Sequence, residues 1–119
     1  MIPLRVLTLI VARPNQPSVL VLEAIEESPE GKTRVIPIWI GPNEAAQISL
    51  AIENVHPARP LTHDLFLDTI TNLDARVDHV VIHEVRKQTF YAHLFLTQGG
   101  RLIELDARPS DALALAIRQ

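Results

Sequence analysis

Three short segments concentrate charged and polar side chains in otherwise apolar surroundings. Each precedes a stretch whose apolar residues recur at helical spacing, so each is predicted to open a helix. The second and third share arginine-proline, then a hydroxyl residue, then an acid. The segments are Gly41-Pro42-Asn43-Glu44, Arg59-Pro60-Leu61-Thr62-His63-Asp64 and Asp106-Ala107-Arg108-Pro109-Ser110-Asp111.

Two interpretations of these helix starts are open. In the structural one, Thr62 and Ser110 cap backbone N–H groups, while Asp64 and Asp111 suit the positive helix ends and pair with the arginines. In the functional one, arginines beside helix N-termini bind an anion, and nearby groups act on it. An acid in the first turn repels a bare phosphate, so a divalent cation should bridge the two unless the arginines lie nearer the ligand.

The functional interpretation assigns a role to each polar residue. Histidine can move a proton, and carboxylates are ligands for hard cations such as Mg²⁺ or Mn²⁺. The catalytic candidates are His63, Asp64 and Asp111. The phosphate-binding candidates are Arg59, Thr62, Arg108 and Ser110. The metal-binding candidates are Asp64, Asp106 and Asp111.

Composition excludes several other chemistries. The chain has no cysteine, which excludes disulfide scaffolds, thiolate zinc sites and cysteine nucleophiles. Its net charge is −3, from 11 basic and 14 acidic residues, so a broad basic nucleic-acid-binding surface is not expected. His79 and His83 share the face of a predicted strand, where solvated histidines are more frequent than metal ligands. The sequence contains no HExxH, P-loop, GxGxxG or GxSxG pattern.

The elements that must position these residues follow from hydrophobic patterning. Strands are predicted at residues 4–12, 18–25 and 34–40, with a turn at residues 13–17, and a helix at residues 44–55 with Asn43 as its N-cap. A second helix, capped by Thr62, should reach Leu73 with Phe66, Ile70 and Leu73 on one face. Strands at residues 75–85, 89–97 and 101–105 and a helix at residues 112–117 complete an α+β fold of two three-stranded antiparallel meanders and three helices.

An internal repeat is a further hypothesis. Residues 34–50 align without gaps on residues 101–117, and both segments run from a strand through Pro42 or Pro109 into a helix. The competing explanation is that strand-to-helix junctions share the same chemistry of proline, cap residue and acid. With 119 residues, the chain is predicted to form a single domain.

The motifs together resemble a known family. In order, Ile38-Trp39-Ile40-Gly41 with Glu44-Ala45, then RPLTHDL at residues 59–65, Phe90-Tyr91-Ala92, and DARPSDALALA at residues 106–116 resemble the bifunctional nuclease family, also called the BFN or DNase/RNase domain. The resemblance covers residues 4–118. It implies a small, usually oligomeric α+β domain with nuclease activity on DNA and RNA, and it carries over motif positions without assigning their roles.

These observations give two functional hypotheses. The first is a metal-assisted phosphodiesterase that hydrolyses DNA and RNA, in which Mg²⁺ or Mn²⁺, the arginines and His63 act together. The alternative is a non-catalytic module that binds a phosphorylated metabolite or an acidic partner surface. A homodimer is expected because the mean hydropathy is +0.15 and Val80-Val81-Ile82 is apolar on both strand faces. A cytoplasmic location is expected because no signal peptide or membrane-length apolar segment is recognisable.

Overall fold

The computed structural model describes residues 3–10, 17–26, 29–87 and 89–119. It contains two three-stranded antiparallel sheets and three helices, which confirms the predicted α+β class. The chain divides into two compact units, Met1–Ala46 and Gln47–Gln119, here called the first and second units. No helix among the described residues has the length and apolarity needed to cross a membrane.

The first unit contains a meander of β1 (Leu4–Ile10), β2 (Ser18–Ala24) and β3 (Val35–Ile40), paired in that order. Side chains of the central strand β2 alternate between buried and half-buried positions, as the alternating pattern predicts. Pro37 lies in β3, an edge strand, where its missing N–H costs no ladder bond on the open side. The predicted turn at residues 13–17 lies outside the described residues except for Pro17.

Helix α1 (Pro42–Ile52) begins two residues before the predicted start. Asn43 is therefore inside the helix, and the prediction that it is the N-cap is wrong. The N–H of Ala45 already donates to the carbonyl of Gly41 at 2.9 Å. Proline fits the first helical position because its φ is preset and its missing N–H would have no intrahelical partner there. The helix also ends before Val55, since Asn54 adopts a φ of 55°.

The second unit contains the other meander and two helices. They are α2 (Thr62–Asn72), β4 (Ala75–Arg86), β5 (Thr89–Gln98), β6 (Arg101–Ala107) and α3 (Pro109–Arg118), with strand order β4-β5-β6. Gly99 and Gly100 join β5 to β6 with φ values of 56° and 78°, the left-handed pair that a tight two-residue hairpin requires. Both meanders thus precede a helix that begins at a proline, as the aligned segments suggested.

The caps of α2 and α3 differ from the prediction. Leu61 and Arg108 are the N-cap residues, so Thr62 and Ser110 lie inside their helices and are not caps. In α2 the capping bond comes from the acid, because the N–H of Leu61 donates to Asp64 Oδ2 at 2.9 Å. In α3, Pro109 takes the first helical position, so the N-cap is Arg108, two residues before the predicted cap Ser110.

The core of the second unit lies between one face of its sheet and the two helices. Its buried side chains are Ile70, Val77, Leu94, Leu96, Ala112 and Leu115. Of the predicted α2 stripe only Ile70 is buried, whereas Phe66 and Leu73 are 46% and 61% exposed. On the other face of the sheet, His79 stacks on Phe95 at 4.4 Å and His83 on His93 at 4.1 Å between ring centroids.

Replacing Leu96 with alanine tests this core. Leu96 is 7% exposed, so Leu96→Ala should lower the free energy of unfolding by about 2–5 kcal/mol through lost burial and a residual cavity. The matched control is Leu102→Ala on β6, at 55% exposure, which should cost less than about 0.5 kcal/mol. Urea unfolding of both variants measures the difference. Equal losses of unfolding free energy in the two variants would contradict the assignment of Leu96 to the core.

Candidate functional site

A cavity of about 750 Å³ in the second unit is the candidate site. It is lined by the first two turns of α2 and α3 and by residues of β5 and β6. Among its lining residues are five polar side chains that the sequence analysis singled out: Thr62, His63, Asp106, Arg108 and Asp111. Two motifs that lie more than 40 residues apart in the sequence therefore line one cavity.

His63, Asp111 and Arg108 are joined by hydrogen bonds. His63 Nε2 lies 3.0 Å from Asp111 Oδ1, and Arg108 Nε donates to Asp111 Oδ2 at 2.9 Å. Helix α2 supplies the histidine from its first turn, and α3 supplies the aspartate from its first turn. The side chain of His63 is 16% exposed and that of Arg108 is 65% exposed. The arrangement is a half-buried histidine–carboxylate pair beside a solvent-accessible guanidinium.

The carboxyl of Asp111 is held ionised. Burial raises the pKa of Asp111, but the hydrogen bonds from Arg108 and His63 and the arginine's charge outweigh it, so the pKa lies below its usual value. An ionised carboxylate accepts hydrogen bonds only, and the nitrogen of His63 that faces it must therefore carry a proton. Asp111 thus fixes Nε2–H as the tautomer of a neutral His63.

The other ring nitrogen of His63 has an unusual environment. Nδ1 is buried and has no hydrogen-bond partner among the residues that the structure describes. In the Nε2–H tautomer this atom carries the free lone pair of the imidazole. A buried polar atom without a partner is rare in proteins, and a bound water, an ion or a chemical role can account for one. In the Nε2–H tautomer, the lone pair of Nδ1 is therefore not engaged by any group that the structure describes.

Asp64 lies elsewhere, although it follows His63 directly. It lines a separate cavity of about 400 Å³, where Oδ1 accepts a bond from Arg118 Nε at 3.1 Å. The side chain of Arg118 is 8% exposed and also donates to the carbonyls of Ala114 and Gln47, both at 2.9 Å. Both oxygens of Asp64 thus serve the fold: one accepts the N–H at the start of α2, and the other binds a buried arginine at the end of α3.

Two predicted phosphate-binding residues are not at the cavity. Arg59 is exposed in the loop before α2, and Ser110 is buried at 7% exposure inside α3. Neither contributes to the lining, whereas Thr62 and Arg108 do. Glu44, a motif position of the resemblance, belongs to the first unit. The phosphate-binding candidates at the cavity are therefore Thr62 and Arg108.

The carboxylates do not form a preassembled metal site. Among residues 3–10, 17–26, 29–87 and 89–119, no three histidine or acidic side chains are grouped so that they could hold an ion. Asp111 is engaged by Arg108 and His63, and Asp64 faces a different cavity. Asp106 and Asp111 are the two metal candidates that line the site. Binding of Mg²⁺ or Mn²⁺ there stays a prediction.

The sequence analysis missed two contributors. It did not single out Arg118, although a basic residue in the last turn of a helix is a recognised helix-end signal. It placed Phe66 on the apolar face of the second helix without a functional role, whereas the side chain lines the cavity one turn after Thr62 and His63. No feature of the sequence separates a core phenylalanine from a cavity-lining one, because both occupy the same helical stripe.

Comparisons with known proteins place the chain in a family. A model described as the bifunctional nuclease domain matches residues 24–119. An uncharacterised protein of Mycobacterium tuberculosis is 44% identical over 104 residues, which make up 87% of this chain and 58% of that protein. The protein named bifunctional nuclease 2 of Oryza sativa subsp. japonica is 33% identical over 92 residues, 75% of this chain and 28% of the plant protein. The chain thus spans just over half of the mycobacterial relative and a much smaller share of the plant one.

A more distant plant relative matches as well. The protein named bifunctional nuclease 1 of Arabidopsis thaliana is 27% identical over 92 residues, which cover 75% of this chain and 28% of that protein. The matched family model includes all of the second unit and therefore every residue of the candidate cavity.

Removing the arginine at the end of α3 should destabilise the second unit. Arg118→Met leaves Asp64 with an unpaired charge and removes the arginine's bond to the carbonyl of Gln47, and should lower the free energy of unfolding by about 3 kcal/mol. Arg101→Met, at an exposed arginine of β6, is the control and should cost less than about 1 kcal/mol. Thermal or urea unfolding measures both. A wild-type midpoint for Arg118→Met would show that the buried ion pair contributes no net stability.

Asp64 should make stability depend on acid pH. The hydrogen bond from the N–H of Leu61, opposed by burial and aided by Arg118, lowers its pKa in the folded chain. A lowered folded-state pKa contributes stability that is present above the unfolded pKa of about 3.9 and is lost as pH falls through the folded value. Asp64→Asn should therefore be less stable than wild type at pH 7, and the difference should shrink as the pH falls below about 4.

The matched control for this pH dependence is Asp68→Asn, at an exposed acid on the same helix. Urea midpoints at pH 7, 5 and 3 compare the two variants with wild type. A constant gap between Asp64→Asn and wild type at all three pH values would contradict the lowered pKa.

Proposed function

Because the chain belongs to the bifunctional nuclease domain family, we propose that it hydrolyses phosphodiester bonds of DNA and RNA at the cavity of the second unit. The observation that carries the proposal is the bond of 3.0 Å between His63 Nε2 and Asp111 Oδ1 at a cavity that Arg108 also lines. These groups meet the two needs of phosphodiester hydrolysis, which are a proton acceptor for the attacking water and positive charge beside the phosphate.

Arg108 is the residue that binds the scissile phosphate in this proposal. Its side chain is 65% exposed and stays within hydrogen-bond distance of Asp111, so it is held at the cavity without being buried. A guanidinium donates to phosphate oxygens in a bidentate geometry and keeps its charge at any relevant pH. Thr62 lines the same cavity and offers a hydroxyl donor. Arg108 thus supplies a positive charge, and Thr62 a neutral donor, at a cavity that Asp106 and Asp111 also line.

His63 takes the proton. As water attacks phosphorus, its proton passes to Nδ1, the ring nitrogen with the free lone pair, and Asp111 stabilises the resulting imidazolium through Nε2–H. The bond from phosphorus to the leaving sugar oxygen breaks, and that oxygen takes a proton from solvent. Because Nδ1 is buried, the step requires that water reach it in the complex with substrate.

A divalent cation is the finer part of the proposal. Mg²⁺ or Mn²⁺ would neutralise phosphate charge, and Asp106 and Asp111 are the carboxylates at the cavity available to hold it. Asp111 would have to exchange a bond to Arg108 or His63 for the ion. Activity measured with EDTA and then with each added cation decides metal dependence independently of the His63 variants.

A non-catalytic phosphate-binding module is the second candidate. It is favoured by the fact that the His63–Asp111 bond also joins the starts of two helices, a structural task that requires no reaction. The two candidates predict different results for a His63 variant. The nuclease would lose cleavage of its substrate, whereas a binding module has no cleavage to lose and could change only in affinity.

Two substitutions separate the candidates. His63→Ala removes the proton acceptor, and Asp111→Asn removes the charge that stabilises the imidazolium, so each should lower the rate of DNA and RNA cleavage by about 100-fold or more. His79→Ala, at a histidine on the opposite face of the sheet, is the matched control and should retain wild-type activity. Thermal midpoints of all three variants identify loss of folding.

A contaminating nuclease would survive both site substitutions, so unchanged cleavage in purified His63→Ala would contradict the proposal. If the wild-type chain binds a short oligonucleotide but does not cleave it, the result would favour the binding module instead.

The oligomeric state is part of the proposed function. We expect a homodimer, because the first unit exposes large apolar side chains such as Trp39 at 66%, Ile10 at 56% and Val35 at 53%. Light scattering at tens of micromolar protein should give twice the chain mass of 13.3 kDa. A mass of one chain at that concentration would contradict the dimer.

A further inference from the structure

The walls of the cavity contain more apolar than polar surface next to the proposed reactive pair. Six large hydrophobic or aromatic side chains line it: Phe66, Phe90, Tyr91, Leu94, Leu105 and Leu115. Hydrolysis of a phosphodiester bond uses none of them, and Leu94 and Leu115 belong to the core behind the cavity. Among the three aromatic side chains at the site, Phe66 is the most exposed, and its presence there needs a separate explanation.

The apolar residues follow the polar ones by one helical turn on both helices. Phe66 comes three residues after His63 on α2, and Leu115 comes four residues after Asp111 on α3. Residues at these spacings lie on the same helix face, with one turn of about 5.4 Å between them. An apolar region thus begins one turn away from the histidine–carboxylate pair. In a nucleotide, the base is joined to its phosphate through one sugar, and the distance between base and phosphate is similar to this one helical turn.

The aromatic ring of Phe66 is available to a ligand. The residue is 46% exposed although it lies in a helix that otherwise packs on the core through Ile70 and Leu67. Phe90, at the start of β5, lines the same cavity and is half-buried. Exposed rings beside a phosphate-binding group are the stacking platforms that single-stranded nucleic acids use.

The charge of the chain points to the same kind of contact. With 11 basic and 14 acidic residues, the chain has no excess of positive charge that would favour a broad set of phosphate contacts. Contacts that do not depend on charge would add affinity beside Arg108. Stacking of a base on an aromatic ring is such a contact, and it tolerates any base sequence and either sugar.

We propose that the apolar part of the cavity holds one unstacked base of the substrate, with Phe66 as its stacking surface, so that single-stranded DNA and RNA are the substrate class. This inference rests on the proposed nuclease function, because it places the phosphate of that nucleotide at Arg108 and His63. The cavity volume of about 750 Å³ is large enough for a nucleotide. Bases inside a duplex are stacked and paired, and they would have to be flipped out before they could enter.

Binding is tested with oligonucleotides whose phosphorothioate linkages resist hydrolysis. Fluorescence anisotropy with the full chain compares three ligands of equal length: a single strand, a duplex, and a strand with abasic positions in its centre. The single strand should bind at least tenfold more tightly than either other ligand, since only it offers an unstacked base next to an intact backbone. Equal affinity for the abasic strand or for the duplex would overturn the proposal.

Substitutions locate the stacking surface. Phe66→Ala should weaken single-strand binding about tenfold and leave abasic-strand binding unchanged, and Phe66→Tyr should restore it. Leu65→Ala is the matched control, because Leu65 is a neighbouring helix residue at 60% exposure that does not line the cavity. Wild-type single-strand affinity in Phe66→Ala, with an unchanged thermal midpoint, would contradict the assignment.

The outcomes for the two proposals are separable. Cleavage of single strands and duplexes at equal rates would overturn the base pocket and leave the nuclease proposal standing. Base-dependent binding that Phe66→Ala removes, without cleavage by the wild-type chain, would overturn the nuclease proposal and support the base pocket. Single-strand binding that does not depend on Phe66 would overturn the inference.

Discussion

The arrangement of the second unit depends on two side-chain contacts between α2 and α3, a histidine–carboxylate hydrogen bond and an ion pair. Consecutive residues of α2, His63 and Asp64, bind residues near the two ends of α3, Asp111 and Arg118. Since Asp111 and Arg118 are seven residues apart, α3 must run across the start of α2. The buried pair of Asp64 and Arg118 fixes one end of α3, and the half-buried pair at the cavity fixes the other. Loss of either pair would change the position of the groups at the site.

This arrangement gives neighbouring residues opposite tasks. Each oxygen of the Asp64 carboxylate accepts a bond that stabilises the fold, one from the N–H of Leu61 and one from Arg118. The next residue toward the N-terminus, His63, keeps one ring nitrogen without a partner among the described residues. A carboxylate that is fully bonded stabilises the fold, whereas a base with an unused lone pair can react. The motif RPLTHDL thus combines a structural anchor and a chemical group in two adjacent positions.

The sequence predicts the strands and the fold class because alternation and helical spacing are local properties. The β5 alternation places Leu94 and Leu96 on one face and His93 and Phe95 on the other, as the pattern requires. The errors arise where the outcome depends on competition between neighbours. Thr62 and Ser110 are good cap residues, but the acid bond in α2 and the proline in α3 set the helix starts instead. Likewise, whether Asp64 or Asp111 faces the cavity depends on the packing of two helices, which periodicity alone does not encode.

The central claim is that an ionised Asp111 fixes His63 as a base whose free lone pair is on Nδ1. Nitrogen-15 NMR of the histidine rings in the full chain measures this directly, because the two ring nitrogens give different shifts in the two neutral tautomers and in the protonated ring. The account predicts that neutral His63 has its proton on Nε2, and that Asp111→Asn changes the tautomer balance. A neutral His63 protonated on Nδ1, or shifts that Asp111→Asn leaves unaltered, would contradict it.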